Sequence, residues 1–413
     1  MKSSLISVLL LAFLSAPALG VKVTTNDSPI YDQAPQNVKE VKNGRLETVG
    51  QGDDAIQIVH VWGTPYEMGY AHGELLKKEI NNQLDITNAM LKEVGGDPSI
   101  LDKVWESVKP HVSAYFVEEL KGLSDATGIE LQTLIRSNMI GEASEWHCSL
   151  FGVWGEATKS SGHLLQLRAL DYAVHAGIQK YPVITVYHPN ADNGHAFANI
   201  GWAGMLGSVT GISSQQLAIS EIGDDYDKNN DTFDGIPFTF LLRDILQFDK
   251  SLDEATARIK NAPRTTSLLY AVGDGKIGQA RSYQASHTIC NVYDSANLEP
   301  LTSTHQRIPD AVYWGMSWDV PAYSGPLHDM LQKHYGKIDG EVTVREILPT
   351  VGTGNLQVAV YDLTDMKVWT ANAGADGEGG PLNAYQRPYV KLDMKALFSE
   401  QAPSSKQKTA SKN

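Results

Sequence analysis

The sequence predicts an α+β fold in which two sheets are enclosed by layers of helix, and three observations predict it. Before Cys148, apolar residues recur at helical spacing, with Leu76, Ile80 and Leu84 four residues apart. After Cys148 the chain changes to short strand-like runs separated by turn residues. A second helical stretch, residues 238–260, then falls between two groups of such runs. Elements segregated in this way pack as layers around shared cores. The sequence carries no internal repeat.

Each element has its own local reason. Residues 1–20 combine Lys2, an apolar run over 5–14 and the small residues Ala18 and Gly20, which is the pattern of a secretory signal cut after Gly20. The run is too short to span a bilayer, which needs about 20 apolar residues, and no later segment approaches that length. Residues 21–147 are expected to form a mainly helical N-terminal segment that opens as a loose, Pro-dotted arm over 21–51. Folding should begin near Ala55, with a strand over 56–62. Thr64-Pro65-Tyr66-Glu67 is a capping box with proline at the first helical position, so a helix should follow. Gly69 and Gly73 lower its propensity but permit close packing. More helix is expected over 101–122 and 131–140.

Residues 148–400 form the second segment. Strands over 150–157 and 163–170 flank Lys159-Ser160-Ser161-Gly162, a hairpin signal. Further strands are expected at 183–187, 196–200, 207–211 and 217–222. Within the helical stretch 238–260, Ser251-Leu252-Asp253-Glu254 is an internal capping box. Strands return at 267–272, 277–283 and 356–370. Residues 401–413, rich in Ser and Lys, read as a disordered tail.

Composition excludes several function classes. With 34 Lys and Arg against 48 Asp and Glu, the net charge is −14, the wrong sign for holding a phosphate backbone, so no nucleic-acid partner is expected. The only cysteines are Cys148 and Cys290. They form either one structural bridge or two free thiols, and a free Cys148 suits catalysis. Asn26-Asp27-Ser28 and Asn230-Asp231-Thr232 are sequons, so Asn26 and Asn230 are candidate glycosylation sites. Asp227 opens an EF-hand-like run, yet Thr232 stands where Gly is required and Phe238 where a bidentate Glu belongs. His60, His72, His147 and His305 are dispersed along the chain. No metal site and no cofactor is expected.

The most informative stretch is Trp146-His147-Cys148-Ser149-Leu150-Phe151, followed by a run containing Arg168 and Asp171. A thiol at the start of a strand needs help to react at neutral pH, because its ordinary pKa leaves a few per cent as thiolate. A hairpin returning Arg168 would favour the thiolate, and Asp171 would hold an amine or orient a base. The alternative is a surface ion pair on one strand. Spaced three apart, Arg168 and Asp171 point to opposite faces of a straight strand, so a bend or bulge is expected if both reach Cys148.

These residues resemble the cysteine branch of the N-terminal-nucleophile (Ntn) amidohydrolases, the penicillin acyltransferase-like peptidases, and more distantly acid ceramidase. The approach from Glu142 to Cys148 and the R-x-x-D of Arg168 and Asp171 carry the resemblance, with Trp62-Gly63-Thr64-Pro65 and Gly201-Trp202-Ala203-Gly204 beside them. It implies a four-layer αββα sandwich and a self-made cut between His147 and Cys148, with His147 placed to assist it. The freed α-amine of Cys148 would serve its own thiol, Asp171 would orient the amine and Arg168 would favour the thiolate. Cys148 would then be the thiol that reagents find first. The two processed chains would stay paired without a covalent link. Asparagines of the family's pattern are replaced here by Ser213 and Thr304, each able to donate one hydrogen bond to an oxyanion. The implied activity is that of a secreted or lysosomal hydrolase of linear amides, acting on an N-acyl lipid or N-acyl amino acid. The alternatives are a phospholipase B-like acyl-ester hydrolase and a ligand-binding glycoprotein of the same fold without turnover.

Overall fold

The computed structural model describes residues 24–93, 97, 99–143, 147–224, 226–298, 305–316, 322–375 and 377–403, without the side chains of residues 90, 92, 93, 143 and 147. The expected signal 1–20, Thr304 and most of the tail lie outside these residues.

In chain order the strands are β1 (Ile30–Tyr31), β2 (Gln36–Val41), β3 (Gly44–Val49), β4 (Ile56–Gly63), β5 (His147–Val153), β6 (Leu165–Asp171), β7 (Pro182–Pro189), β8 (Phe197–Trp202) and β9 (Gly211–Ser213). They continue as β10 (Leu217–Gly223), β11 (Leu268–Asp274), β12 (Gln279–Ala285), β13 (Cys290–Tyr293), β14 (Ala311–Gly315), β15 (Gln357–Asp362), β16 (Lys367–Asn372) and β17 (Tyr389–Asp393). A seven-stranded sheet has the order β1-β17-β16-β15-β6-β5-β14. A ten-stranded sheet runs β13-β12-β11-β10-β9-β8-β7-β4-β3-β2.

The helices are α1 (Pro65–Glu93), α2 (Ser99–Val108), α3 (Ala114–Thr127), α4 (Leu131–Asn138), α5 (Ile140–Ala143), α6 (Phe238–Phe248) and α7 (Leu252–Asn261), then α8 (Ser324–Lys333), α9 (Gly340–Val342), α10 (Leu348–Val351) and α11 (Met394–Ser399). The two sheets pack face to face through β10, β11 and β12 on β5 and β6. Helices α1, α6 and α7 cover the outer face of the larger sheet, and α8 to α10 cover the smaller one. The result is the expected four-layer αββα sandwich.

Sequence patterning accounts for this layering. Strands β6, β10, β11 and β15 are buried along their whole length, because both faces are covered and alternation disappears. Phe151, Leu167 and Val360 pack one way, against Leu327, Leu331 and Ile347 of the outer helical layer. Burying each such side chain stabilises the fold by about 1.5–3 kcal/mol. Polar bonds also cross between the sheets: Gln166 Nε2 donates to Ser220 Oγ at 2.9 Å, and Ser220 Oγ to the Leu167 carbonyl at 2.9 Å.

The capping box forms as expected, with Thr64 N donating to Glu67 Oε2 at 3.0 Å and Glu67 N to Thr64 Oγ1 at 3.3 Å. Gly69 and Gly122 let α1 and α3 cross at backbone distance. A Cβ on Gly69 would stand 2.0 Å from the Glu119 carbonyl oxygen, and one on Gly122 2.1 Å from that of Tyr66.

Four expectations need correction. The arm over 21–51 is ordered from residue 24 into β1, β2 and β3, so the segment before Cys148 contributes strands to both sheets and is not simply helical. Its signal is Asn43-Gly44: Val41 pairs with Gly44 across a two-residue turn in which Asn43 adopts φ 61°. The helix expected over 101–122 breaks between α2 and α3, at the turn holding Pro110, which has no N–H for the ladder. The strand expected at 207–211 begins only at Gly211. The run 356–370 is a hairpin of β15 and β16, whose turn ends at Met366 with φ 59°.

Candidate active site

Strand β5 lies between β6 and β14 and starts at the junction of interest. His147 pairs with Asp171, Cys148 with Leu170 and Leu150 with Arg168. Residues paired across antiparallel strands share a face, and faces alternate along each strand. Cys148, Leu150, Arg168 and Leu170 therefore turn toward the larger sheet. Ser149, Ala169 and Asp171 turn toward the outer helices.

Each functional group reaches the junction from its own side. Arg168 Nη1 donates to Cys148 Sγ at 3.3 Å, and Arg168 Nη2 pairs with Glu221 of β10, all three side chains being buried. Asp171, on the opposite face, accepts from Thr353 Oγ1 at 2.6 Å and from the backbone N–H groups of Gly354 and Asn355, each at 2.9 Å. The β5–β6 register runs from His147 to Val153 without a shift. The bulge expected from the Arg168–Asp171 spacing is not there: the guanidinium meets the thiol on one face while the carboxylate lies on the other, opposite His147.

The electrostatics follow from burial. Cys148 is wholly buried, and loss of water pushes its thiol up to about 12; Arg168 opposes this, while Glu221 and Asp171 reinforce it. Burial thus favours the protonated thiol over the thiolate. Burial likewise raises Asp171 to about 6, against the donors that favour its charged form. Arg168 remains charged, with Glu221 as its counter-ion. Tyr323 is also drawn into this group, its phenol being pushed upward by burial and then by the nearby Asp171 and Cys148.

The other sequence candidates fall elsewhere. Ser213 is buried at the end of β9, where its Oγ accepts from Gln215 N at 3.2 Å within a turn. Ile212 pairs with Ala218, so Ser213 is level with Leu217, about 13 Å along the strand direction from Glu221. Thr304 and the His147 side chain lie outside the described residues. Cys290 sits half-buried on the edge strand β13, and both cysteines are free thiols.

The sequons are unequal. Asn26 is buried, its Nδ2 donating to the carbonyls of Tyr385 at 2.9 Å and Arg387 at 3.0 Å, so the folded chain leaves no room for a glycan there. Asn230 is exposed. Among the described residues His163, Asp362 and Asp365 have metal-ligand spacing, but Asp362 already caps its own turn by accepting from Thr364 N and Asp365 N.

Two parts of the site are not among the residues singled out from sequence. Glu221 is the one charge in the apolar run 217–222, and a lone charge in a strand buried on both faces needs a partner. The Gly352-Thr353-Gly354-Asn355 turn is a Gly-x-Gly signal directly ahead of a strand.

A pocket opens between α1, α4 and the end of β8. Ile80, Leu84, Leu134, Ile178, Trp202 and Met205 give it apolar walls, and Gly141 also lines it, whereas Cys148, Arg168 and Asp171 do not.

No family model matches the chain. It is 32% identical to protein dcd1A of Dictyostelium discoideum over 416 residues, covering 91% of this chain and 93% of dcd1A. It is also 32% identical to protein dcd1B of the same organism over 414 residues, covering 91% of this chain and 81% of dcd1B. Among solved structures it is similar to the Caenorhabditis elegans ortholog of N-acylethanolamine-hydrolyzing acid amidase, with a TM-score of 0.42 and 15% identity over 59% of this chain and 100% of that one.

Proposed function

We propose that this chain, which belongs to the same family as the Dictyostelium discoideum proteins dcd1A and dcd1B, is a cysteine amidohydrolase that acts on a linear amide after cutting itself between His147 and Cys148. The observation that carries this reading is the approach of Arg168 to the Cys148 sulfur, 3.3 Å away, with Asp171 paired opposite His147. Freed of its peptide bond, the Cys148 nitrogen becomes an α-amine with an ordinary pKa near 8, suited to taking the thiol proton. The sulfur then adds to the amide carbonyl. Collapse of that adduct returns the proton to the departing amine and leaves a thioester on Cys148, which water hydrolyses to the free acid and the thiol. Arg168 stabilises the anionic sulfur, and Asp171 holds the ammonium.

On this reading the pocket between α1 and α4 would take the acyl chain of an N-acyl lipid or N-acyl amino acid, which would gain from burial against Ile80, Leu84 and Trp202. The reading further places the protein on the secretory route, with a glycan on Asn230. After the cut the halves would remain together. Glu119 of α3 and Arg243 of α6, both fully buried, pair at 2.5 Å across the two segments, and Arg243 is enclosed by Phe116, Tyr187 and Phe197.

One observation favours the alternative of a binding protein without turnover: in the uncut chain the thiol is wholly buried, which disfavours the thiolate. The two readings separate experimentally. Secreted protein is run on a denaturing gel, its chains are sequenced from their N-termini, and it is offered N-acylethanolamines, N-acyl amino acids and lysophospholipids. The hydrolase reading requires a chain beginning at Cys148 and a mass increment of one acyl group on that chain. A single uncut chain that no substrate acylates, from acidic to neutral pH, overturns it in favour of the binder.

A further inference from the structure

The Asp171 carboxylate is held by a purpose-shaped turn. Gly352 and Gly354 adopt φ 79° and 87°, the left-handed region that favours glycine, and they place Thr353 and two successive N–H groups around one carboxylate. Gly354 is also fixed by space, since a Cβ there would stand 2.5 Å from Val358 Cγ2. Asn355 Oδ1 in turn accepts from Tyr172 N at 2.8 Å, tying the turn to the residue after Asp171.

A second contact extends the chain of hydroxyls to the nucleophile's neighbour. Thr353 Oγ1 lies 2.6 Å from Asp171 Oδ2 and 2.9 Å from Ser149 Oγ, with all three side chains buried. A hydroxyl has one proton to donate. When Asp171 is ionised the charged acceptor takes the Thr353 proton, and Ser149 donates to Thr353. When Asp171 is protonated it becomes a donor, and Thr353 can point its proton at Ser149. The alignment of these hydroxyls thus reports the charge on Asp171.

We propose that Thr353 is a positioning residue for the reaction: aligned by Ser149, its hydroxyl holds the Asp171 carboxylate in the orientation and charge state that the Cys148 amine needs. The inference rests on the hydrolase reading for its catalytic meaning, while the hold on Asp171 stands on the geometry alone. The ionisable groups that bear on Asp171 are Arg168 and Cys148, both turned to the opposite face, with Tyr323 ahead of α8 and Tyr385 on the loop before β17. Of these Arg168 favours the carboxylate, and Thr353 adds a donor on Oδ2 beside the Gly354 and Asn355 N–H groups on Oδ1.

The test compares Thr353→Val, which removes the hydroxyl at nearly constant shape, with Thr353→Ser, which keeps it. In the full chain the Asp171 carboxyl ¹³C resonance, assigned by its loss in Asp171→Asn, is followed against pH. The acid limb of acyl-thioester formation on Cys148 is measured in parallel. Thr353→Val is expected to move the Asp171 midpoint and the acid limb upward by about 1 pH unit, the effect of losing one hydrogen bond to a charged group. Thr353→Ser should return both to the wild-type position. Ser149→Ala, which leaves Thr353 in place, should move both in the same direction by less, and it serves if Thr353→Val does not fold. Coincident midpoints for wild type, Thr353→Val and Ser149→Ala overturn the proposal, as does a Thr353→Ser shift equal to that of Thr353→Val. If wild type forms no thioester at any pH while the resonance still moves, the hydrolase reading fails and the hold of Thr353 on Asp171 survives.

Discussion

Asp171→Asn should destroy activity and yet stabilise the fold at neutral pH. The reasoning starts from burial, which raises the Asp171 carboxyl from its ordinary 3.8 to about 6. At about 1.36 kcal/mol per pH unit, that displacement corresponds to about 3 kcal/mol. The sign follows from proton binding. A carboxyl whose pKa is raised on folding binds its proton more tightly in the folded state, so the associated stability is complete below pH 4 and lost as pH rises through about 6. Asparagine does not titrate. Its Oδ1 can accept from Gly354 N and Asn355 N, and its Nδ2 can donate to Thr353 Oγ1, whose own proton then turns to Ser149 Oγ 2.9 Å away.

The measurement is the unfolding free energy by urea at pH 4 and pH 7, with Cys148→Ala in both proteins so that no cut occurs. Relative to its parent, the Asn variant should gain about 3 kcal/mol between the two pH values, a sizeable part of the 5–15 kcal/mol typical of a domain. A gap that stays constant from pH 4 to pH 7 would refute the reasoning, since Asp171 would then ionise in the fold as it does in the unfolded chain. In processed protein without the Cys148 change, the same Asn substitution should lower acyl-thioester formation by about 10²-fold or more.

Further outcomes follow from the same geometry. Cys148→Ala should leave a single chain on a denaturing gel where wild type gives two. A thiol reagent added to uncut protein should label half-buried Cys290 before buried Cys148, with Cys148 labelled first once the cut frees its amine; peptide mapping reads the order. Glu119→Ala strands the buried Arg243 cation and should cost about 3–5 kcal/mol in urea unfolding of the processed pair. Asn230→Gln should remove a glycan's mass from secreted protein, whereas Asn26→Gln should alter stability without altering glycan mass.

What the sequence discloses about this molecule is set by the range of the interactions involved. The capping box at Thr64 and Glu67, the apolar face of Leu76, Ile80 and Leu84, and the hairpin that returns Arg168 to Cys148 are local, and each is readable from a few neighbouring residues. Asn43-Gly44 was equally local, and its turn signal outweighs the polar composition around it. Glu221 and Thr353 are different in kind. They lie 53 and 182 residues from Arg168 and Asp171, and sequence offers only indirect hints of them: a charge inside an apolar strand, and a Gly-x-Gly ahead of another.

The same distinction explains why the spacing of Arg168 and Asp171 suggested a bulge. Period-two alternation correctly put the two side chains on opposite faces, but the expectation of a bend for both to reach Cys148 treated that residue as one target. If Cys148 becomes a chain terminus, as proposed, it presents two targets, a thiol on one face and a nitrogen in the strand itself. An unbroken strand serves that arrangement better than a bulged one, because Arg168 and Asp171 then approach from opposite sides and the cation does not neutralise the carboxylate meant for the amine. Glu221 completes the separation by engaging Arg168 within the inter-sheet core. Two buried charge systems, Arg168 with Glu221 and Asp171 with its ring of donors, can therefore stand on either side of one strand, with Cys148 between them.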